Sequence, residues 1–337
     1  MIWHSFLRRL GICRTPTLAQ DAASLLHQAN AALADLKTGP FFNANRKSIQ
    51  QQFRLFSHWK RPGLRARNLA LLAEEPQLAR LYLLHLDGYM REAALNALCP
   101  PLDPLSTYLL CLCMNDWVPQ VRAAAEQAFA RCAPDTPAAN MLPVLWQVMR
   151  VGQSWQRWEN RYASLLDEIS VLPDLLAAVV AQLRDGAAPG STQILRAISR
   201  SPAIDAALPD LAQHARQPYL RTLALDFLIK GRAEWPTGQK RKIWRNKPLG
   251  IATLVPETAQ RPLTCQPALP ALLAAGLADR SVKVRKYALD GLIQHRDRPD
   301  LRHLIDAQIS QRDQAQYAGL RMRLDYLAAR MAEQRPS

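Results

Sequence analysis

The residues with the most distinct chemistry lie in a basic segment that contains a tryptophan. From Gln239 to Lys247 the sequence reads Gln-Lys-Arg-Lys-Ile-Trp-Arg-Asn-Lys, in which five of nine residues are basic and none is acidic. Basic side chains neutralise phosphates, and an aromatic ring among them stacks on a base or packs against a cation. The alternative is a tethered loop whose tryptophan fills a groove of the protein itself. The candidate binding residues are Lys240, Arg241, Lys242, Trp244, Arg245 and Lys247.

A second aromatic cluster lies near the middle of the chain. Trp155 and Trp158 are three residues apart, so on a helix they would share one face. Aromatic residues in such a stripe most often pack between helices. The alternative is an aromatic-lined groove that binds a ligand, and both tryptophans are therefore also candidate binding residues.

The sequence contains little that indicates catalysis or metal binding. Its seven histidines show no spacing of the HExxH type, and its six cysteines include no CxxC pair. No glycine-rich phosphate loop and no nucleophile elbow occurs. We therefore expect a binding protein without catalytic residues, metal or cofactor.

The elements that would position the candidate residues are predicted by a repeated pattern. Seven arginines are each followed three residues later by a small residue, at the start of an apolar helical stretch. Successive arginines are 24, 31, 39, 35, 25 and 64 residues apart. Self-similarity with a period of roughly 25–40 residues is typical of stacked helical hairpins. The seven arginines are Arg67, Arg91, Arg122, Arg161, Arg196, Arg221 and Arg285.

Helix packing explains this pattern without a ligand. An aspartate in the turn before a helix accepts backbone N–H groups and lies at the positive end of that helix. An arginine one turn inside the helix can reach an acidic group or a turn carbonyl of an adjacent unit. The small residue after it lets two helices approach closely. We therefore expect the seven arginines to serve packing rather than to form a binding stripe.

Two segments resemble a known repeat. Asn115–Ala125 reads Asn-Asp-Trp-Val-Pro-Gln-Val-Arg-Ala-Ala-Ala, and Ala278–Ala288 reads Ala-Asp-Arg-Ser-Val-Lys-Val-Arg-Lys-Tyr-Ala. Both resemble the HEAT-like repeat of the PBS-lyase type found in bacterial proteins. The resemblance implies an all-α protein, an α-solenoid wound as a right-handed superhelix of about seven helical hairpins. The solenoid would cover residues 45–334, after an N-terminal segment and capping helix at 1–44, and would carry a basic insertion at 231–265.

The composition is consistent with a helical protein that has an anionic partner. Alanine and leucine, both strong helix formers, dominate the apolar residues. The 337 residues include 34 arginines and nine lysines and carry a net charge of +15. Such a charge indicates nucleic acid, an acidic protein surface or lipid headgroups. The alternative is a compositional bias that spreads arginine over solvated helix faces.

The sequence also predicts where the protein is found. The cysteines lie in apolar segments with helical periodicity and show no disulfide spacing, which is typical of a protein in a reducing compartment. No stretch approaches the roughly 18 apolar residues of a membrane span. Residues 1–14 combine apolar and basic side chains, which predicts a short amphipathic segment that docks on the first repeat; a membrane-surface anchor is the alternative. We expect a cytoplasmic protein.

These observations lead to three functional hypotheses in order. The first is a non-enzymatic scaffold or adaptor that binds a macromolecular partner, a protein before other classes, through its concave face and the basic insertion. The second is a nucleic-acid-binding protein that uses the same insertion on phosphates. The third rests on a likeness to HEAT-like alkylpurine DNA glycosylases, basic solenoids with tryptophans and an acidic residue in a cleft. The residues that would correspond are Asp116, Trp117, Trp155 and Trp158, although Asp116 is also explained as a turn residue.

Overall fold

Helices form most of the structure, a computed structural model, and one two-stranded antiparallel sheet accompanies them. The chain divides into two compact units whose boundary falls between Tyr162 and Ala163. The amphipathic segment expected at 1–14 lies outside the described residues. The structure describes residues 17–34, 42–55, 62–152, 155, 157–158 and 161–333.

The first unit is helical throughout its described part. Its helices are α1 (Leu18–Ala34), α2 (Phe42–Gln52), α3 (Pro62–Glu74), a 3₁₀ turn (Pro76–Leu78), α4 (Ala79–Tyr82), α5 (Gly88–Ala97), α6 (Pro104–Met114), α7 (Pro119–Cys132) and α8 (Ala138–Val151). Helices α3, α5 and α7 pack side by side, while α6 packs on α7 and α8. Two layers of helices result, and α1 packs on α3 at the end where the sequence predicts a capping helix.

Helix α7 shows why these segments fold as they do. Pro119 occupies the first turn, where its missing N–H costs nothing. Val121, Ala125, Ala128 and Cys132 follow at helical spacing and are all buried. Because most of these side chains are small, the neighbouring helices can approach closely.

The second unit continues with helices and one sheet. Its helices are α9 (Arg161–Val171, which begins in the first unit), α10 (Pro173–Asp185), α11 (Ser191–Ile198), a 3₁₀ helix (Pro202–Ala207), α12 (Leu208–His214), α13 (Pro218–Lys230), α14 (Leu269–Leu277), α15 (Val282–Gln294), a 3₁₀ turn (Pro299–Leu301), α16 (Arg302–Ser310), a 3₁₀ turn (Arg312–Gln314) and α17 (Ala318–Glu333). Helices α11, α13, α15 and α17 pack in sequence, and α10, α12 and α14 form the facing layer. Helix α13 is buried on nearly all sides and ends at Gly231, whose φ of 65° suits glycine.

The all-helical expectation is wrong for the insertion at 231–265. Strand β1 (Arg232–Asn246) pairs antiparallel with β2 (Ile251–Pro262), from Arg232 opposite Pro262 to Asn246 opposite Ile251. The β2 sequence contains several β-branched residues, and its side chains alternate between more and less exposed positions, as in a strand. Both strands are sheet edges, which accommodates the prolines within them.

Candidate functional site

The base of the hairpin is fixed to the helices by a buried ion pair. Asp205 is fully buried, and its carboxylate accepts hydrogen bonds from both terminal nitrogens of Arg261 at 2.6 and 2.9 Å. The backbone N–H and the hydroxyl of Thr264 donate to it at 2.8 and 2.9 Å. Burial alone would raise the pKa of Asp205, but these hydrogen bonds and the Arg261 charge hold that pKa below its ordinary value. The carboxylate therefore stays ionised at neutral pH and holds β2 in place.

Backbone contacts reinforce this attachment. Arg261 also donates to the carbonyls of Ser199 at 2.9 Å and Ser201 at 2.6 Å. The Leu263 N–H donates to the Gly231 carbonyl at 3.0 Å. The two ends of the hairpin therefore meet on the helices. Sequence reasoning missed the Arg261–Asp205 pair, because its members are 56 residues apart and carry no local signal.

The distal part of the hairpin is exposed along its whole length, from residue 237 to residue 251. Successive side chains of a strand point to opposite faces. Lys240, Lys242 and Trp244 therefore share one face, and Arg241 lies on the other. The ammonium of Lys242 lies 3.9 Å from the centre of the Trp244 ring, in a cation–π contact on the first face.

The second face also carries positive charge. Ile243 lies opposite Thr253 in the register, so both belong to the face of Arg241. A bulge follows Trp244, and the Arg245 Nε donates to the Thr253 hydroxyl at 2.9 Å. Arg245 is thereby directed to the same face as Arg241. The hairpin presents cations on both faces, with Lys247 in the turn between the strands.

Negative charge is confined to the base of the hairpin. Residues 237–256 include no acidic residue. Within the described chain, the ion pairs of the two strands are formed by Arg261 with Asp205 and by Glu234 with Arg232 and with Lys230 of α13. The five distal cations have no carboxylate partner in this part of the chain. They are free to meet an external anion.

The two middle tryptophans do not join this surface. Trp158 is only 1% exposed, and its ring lies 5.0 Å from that of Trp155 in an edge-to-face arrangement. The Tyr162 ring lies 5.7 Å from that of Trp158, and Trp155 is half-buried. Both tryptophans belong to the first unit, whereas the six hairpin residues belong to the second. Trp158 serves packing.

Two of the repeat arginines form buried bidentate ion pairs. Arg91 of α5 binds Asp116 before α7, with its Nε and one terminal nitrogen 2.8 and 2.9 Å from the two carboxylate oxygens. Arg221 of α13 binds Asp279 before α15 in the same way, at 2.7 and 2.9 Å. Both arginines are nearly inaccessible to solvent. The packing role expected from the sequence is therefore present at these two positions.

The remaining terminal nitrogen of each arginine makes a second recurrent contact. It donates to the carbonyl six residues earlier, His85 for Arg91 and Ala215 for Arg221, at 2.7 Å in both cases. Arg122 and Arg285 donate in the same manner to the carbonyls of Asp116 and Asp279, at 2.8 and 3.0 Å. The motif is thus an arginine that ties its own turn to the turn of the next helical hairpin.

The other repeat arginines depart from this arrangement. Arg67 forms an exposed ion pair with Asp21, whereas its neighbour Arg65 binds the turn aspartate Asp87 at 2.8 Å. Arg161 pairs with Glu126. Arg196 is half-buried in α11. The sequence pattern therefore identifies the helices correctly but overstates the uniformity of the contacts.

Asp116, the acidic residue considered for catalysis, is engaged in structural hydrogen bonds. Both carboxylate oxygens of Asp116 accept hydrogen bonds, from Arg91 and from the Val118 N–H at 2.9 Å. Trp117 beside it is exposed. Burial raises the pKa of the Cys111 and Cys113 thiols to about 12, so neither supplies a thiolate at neutral pH.

The described residues contain no group of three or more histidine, cysteine, aspartate or glutamate side chains that could hold a metal ion. Of the helices in this part of the chain, none is long and apolar enough to cross a membrane. Comparisons of the chain with protein-family models, with curated proteins and with solved structures found no match.

Proposed function

We propose that the protein is a non-enzymatic binding protein that holds double-stranded nucleic acid with its basic hairpin. The observation that carries this proposal is the presence of cations without carboxylate partners on both faces of the distal hairpin. The sequence alone places a protein partner first. The presence of cations on both faces of the hairpin favours a nucleic acid over a protein as the partner.

The argument for a duplex rests on the shape of its grooves. A major groove admits a two-stranded β-ribbon, and phosphates then flank the ribbon on both sides. Lys240 and Lys242 would meet one phosphate wall, and Arg241 and Arg245 the other. An acidic protein surface would contact one face and leave the cations of the other face without a partner.

Trp244 adds an aromatic contact to this ribbon. The residue is 45% exposed although the Lys242 ammonium lies over its ring. An exposed ring among cations is suited to contact sugars or base edges, or to stack on an unpaired base. Aromatic rings in this position strengthen binding without reading a particular sequence.

The helices would serve as the frame of this binding element. The twofold recurrence of the buried Arg–Asp link, together with the two layers of helices in each unit, supports HEAT-like hairpins as the building unit. A HEAT-like α-solenoid is accordingly part of the proposal, and a cytoplasmic location accompanies it.

The test is the salt dependence of binding to a short labelled duplex, measured by fluorescence anisotropy. The variant Lys240→Ala/Arg241→Ala/Lys242→Ala should bind more weakly and flatten the plot of log K against log salt by about three units. The matched control is Arg298→Ala/Arg302→Ala/Arg330→Ala, which removes equal charge from exposed arginines that have carboxylate partners. That control should bind as the unaltered protein does.

Two results would overturn the proposal. The first is the absence of any anisotropy change with duplex or single strand at low salt. The second is equal weakening in both triple variants, which would assign binding to net charge. If the protein binds no nucleic acid but captures an acidic protein through residues 237–257, the adaptor hypothesis replaces this one.

A further inference from the structure

The motif built around Arg91 and Arg221 recurs at Arg122 and Arg285, which make its turn contact but pair with no carboxylate in the described residues. In the complete copies the aspartate lies three residues before the first residue of the next helix. Asp116 precedes Pro119 of α7 in this way, and Asp279 precedes Val282 of α15. Each aspartate binds the arginine of the preceding helical hairpin through two hydrogen bonds.

Arg285 of α15 is the arginine of one incomplete copy. Its terminal nitrogen donates to the Asp279 carbonyl at 3.0 Å, as Arg91 and Arg221 do to their own turns. Its backbone N–H donates to the carbonyl four residues earlier at 3.1 Å, also as in the complete copies. The backbone of Arg285 and the contact of its guanidinium with its own turn therefore match those of Arg91 and Arg221, which each bind a carboxylate.

The acidic position opposite Arg285 is occupied by alanine. Helix α17 begins at Ala318, so the corresponding residue is Ala315. The register is confirmed by Arg321, which follows Ala315 by six residues as Arg122 follows Asp116. A methyl group thus replaces the carboxylate that completes the motif elsewhere.

A cavity of about 280 Å³ lies beside the position that the aspartate would occupy. Arg285 and Ala315 both line it, Leu289 and Leu320 contribute apolar walls, and Gln311 and Tyr317 add polar groups. The combination of apolar walls with a few convergent polar groups is typical of ligand sites. No acidic side chain is among the lining residues.

The acidic residues close in sequence are engaged elsewhere. Asp313 lies within 3.6 Å of the Arg312 guanidinium and within 3.8 Å of that of Arg321. Asp325 lies 3.5 Å from Arg312. Within the described residues, no ion pair occupies the guanidinium of Arg285. The cavity therefore combines a cation held by one hydrogen bond with an open position for an anion.

We propose that this cavity is a carboxylate-binding site in which Arg285 holds an external carboxylate with its Nε and one terminal nitrogen. The ligand class is a carboxylate on a small body that fits between Leu289 and Leu320, with an amide or hydroxyl that reaches Gln311 or Tyr317. A carboxylate is chosen over other anions because the two equivalent arginines both hold one in this geometry. The site is independent of the hairpin and of the function proposed for it.

The carboxylate could come from a free acid or from an aspartate side chain of a peptide, and two probes separate these sources. The first probe is succinate, with chloride at equal ionic strength as its control. The second is a blocked tripeptide with a central aspartate, and its control has asparagine there. Binding is followed through the chemical shift of the Arg285 Nε–Hε group in NMR spectra of the full chain. Saturable shifts in the millimolar range are expected for at least one probe and for neither control.

The decisive variant rebuilds the missing residue within the chain. Ala315→Asp should occupy the guanidinium, abolish probe binding and raise the midpoint of thermal unfolding. The matched control Ala315→Asn adds the same volume without the charge and should leave the unfolding midpoint below that of Ala315→Asp. A second variant, Arg285→Gln, should lose probe binding, which is followed in this variant through the backbone amide shifts of the residues that line the cavity.

Several outcomes would overturn the proposal. These are the absence of saturation by either probe below about 10 mM, equal shifts with chloride, probe binding that survives Ala315→Asp, and equal stability of the aspartate and asparagine variants. Tighter binding of the aspartate tripeptide than of succinate would assign the site to a protein ligand. The reverse order would assign it to a small free acid. Both orders support the carboxylate site.

Discussion

Basic side chains play opposite roles in the two regions that contain most of the chemistry of this protein. Arg91 and Arg221 are buried in the helical layers, and each is neutralised by one aspartate. Lys240, Arg241 and Lys242 lie on an exposed hairpin without a carboxylate partner in the described chain. The comparison teaches that the net charge of +15 comes from two kinds of basic residue: buried ones that stabilise the fold and exposed ones that can bind an anion. The two kinds are distinguished only by the burial of the side chain and by the presence of a carboxylate partner.

The largest expected effect comes from removing a buried member of an ion pair. Arg221→Ala should lower the free energy of unfolding by about 3–5 kcal/mol, because it leaves Asp279 buried without its partner. Arg241→Ala, the matched hairpin variant, should change that free energy by less than roughly 0.5 kcal/mol. Denaturant unfolding followed by circular dichroism measures both. Similar losses in the two variants would remove the distinction between the regions.

The tryptophans provide an equivalent comparison without charge. Trp158→Ala should destabilise the first unit by about 3 kcal/mol, because it empties a buried volume beside Trp155 and Tyr162. Trp244→Ala should leave the unfolding free energy nearly unchanged and weaken duplex binding instead. Unfolding curves and anisotropy titrations of both variants are the measurements. A stability loss at Trp244 would show that its ring packs against the protein.

Acid should weaken the Arg221–Asp279 pair. Burial would raise the pKa of Asp279, but hydrogen bonds from Arg221 and from the Ser281 N–H, with the Arg221 charge, lower it overall. A lowered folded-state pKa stabilises the folded protein above the unfolded value of about 3.9, and this contribution disappears as pH falls through the folded-state pKa.

The advantage of the unaltered protein over Asp279→Asn should therefore shrink as the pH falls below about 4. Unfolding free energies of the two proteins across this range provide the measurement, and Asp205→Asn should behave alike. A difference that stays constant with pH would show that the carboxylate charge contributes nothing to these links.

The smallest effect is expected at the hairpin turn. Gly250 has a φ of 68°, and nothing lies within 4 Å of a Cβ placed there. Gly250→Ala should therefore cost about 1 kcal/mol through backbone strain alone, while Gly250→Asn should be better tolerated. Hydrogen exchange of the β1 and β2 amides reports the change, and the helical amides should be unaffected. Equal exchange in all three proteins would contradict the strain argument.

The helices and the arginine–aspartate contacts between them could be predicted from the sequence because the residues that indicate them are close together in the chain. The turn aspartates Asp116 and Asp279 and the arginines six residues later stand within one turn and one helix. The direction of each arginine toward the following turn follows from packing geometry. The hairpin cations were also found from a local signal, the high density of basic residues between Gln239 and Lys247.

The β-hairpin and its attachment were not accessible in the same way. Strand pairing joins Arg232 to Pro262, and the buried ion pair joins Asp205 to Arg261. Each contact therefore depends on residues far apart in the chain. The prolines of the segment also argue against a strand unless both strands are known to be edges. The cavity at Arg285 required the structure for another reason, since a missing aspartate is visible only once the equivalent turns are aligned.

The closed base of the hairpin also has a consequence for how the chain folds. Arg221 and Asp279 are 58 residues apart, whereas Arg91 and Asp116 are 25 apart. Once Arg232 pairs with Pro262, 30 residues drop out of the longer loop, and its effective length becomes 58 − 30 = 28 residues. Halving a loop lowers its closure entropy by roughly 0.6 kcal/mol. Early pairing of the strands would thus make the distant Arg221–Asp279 contact almost as local as its counterpart in the first unit.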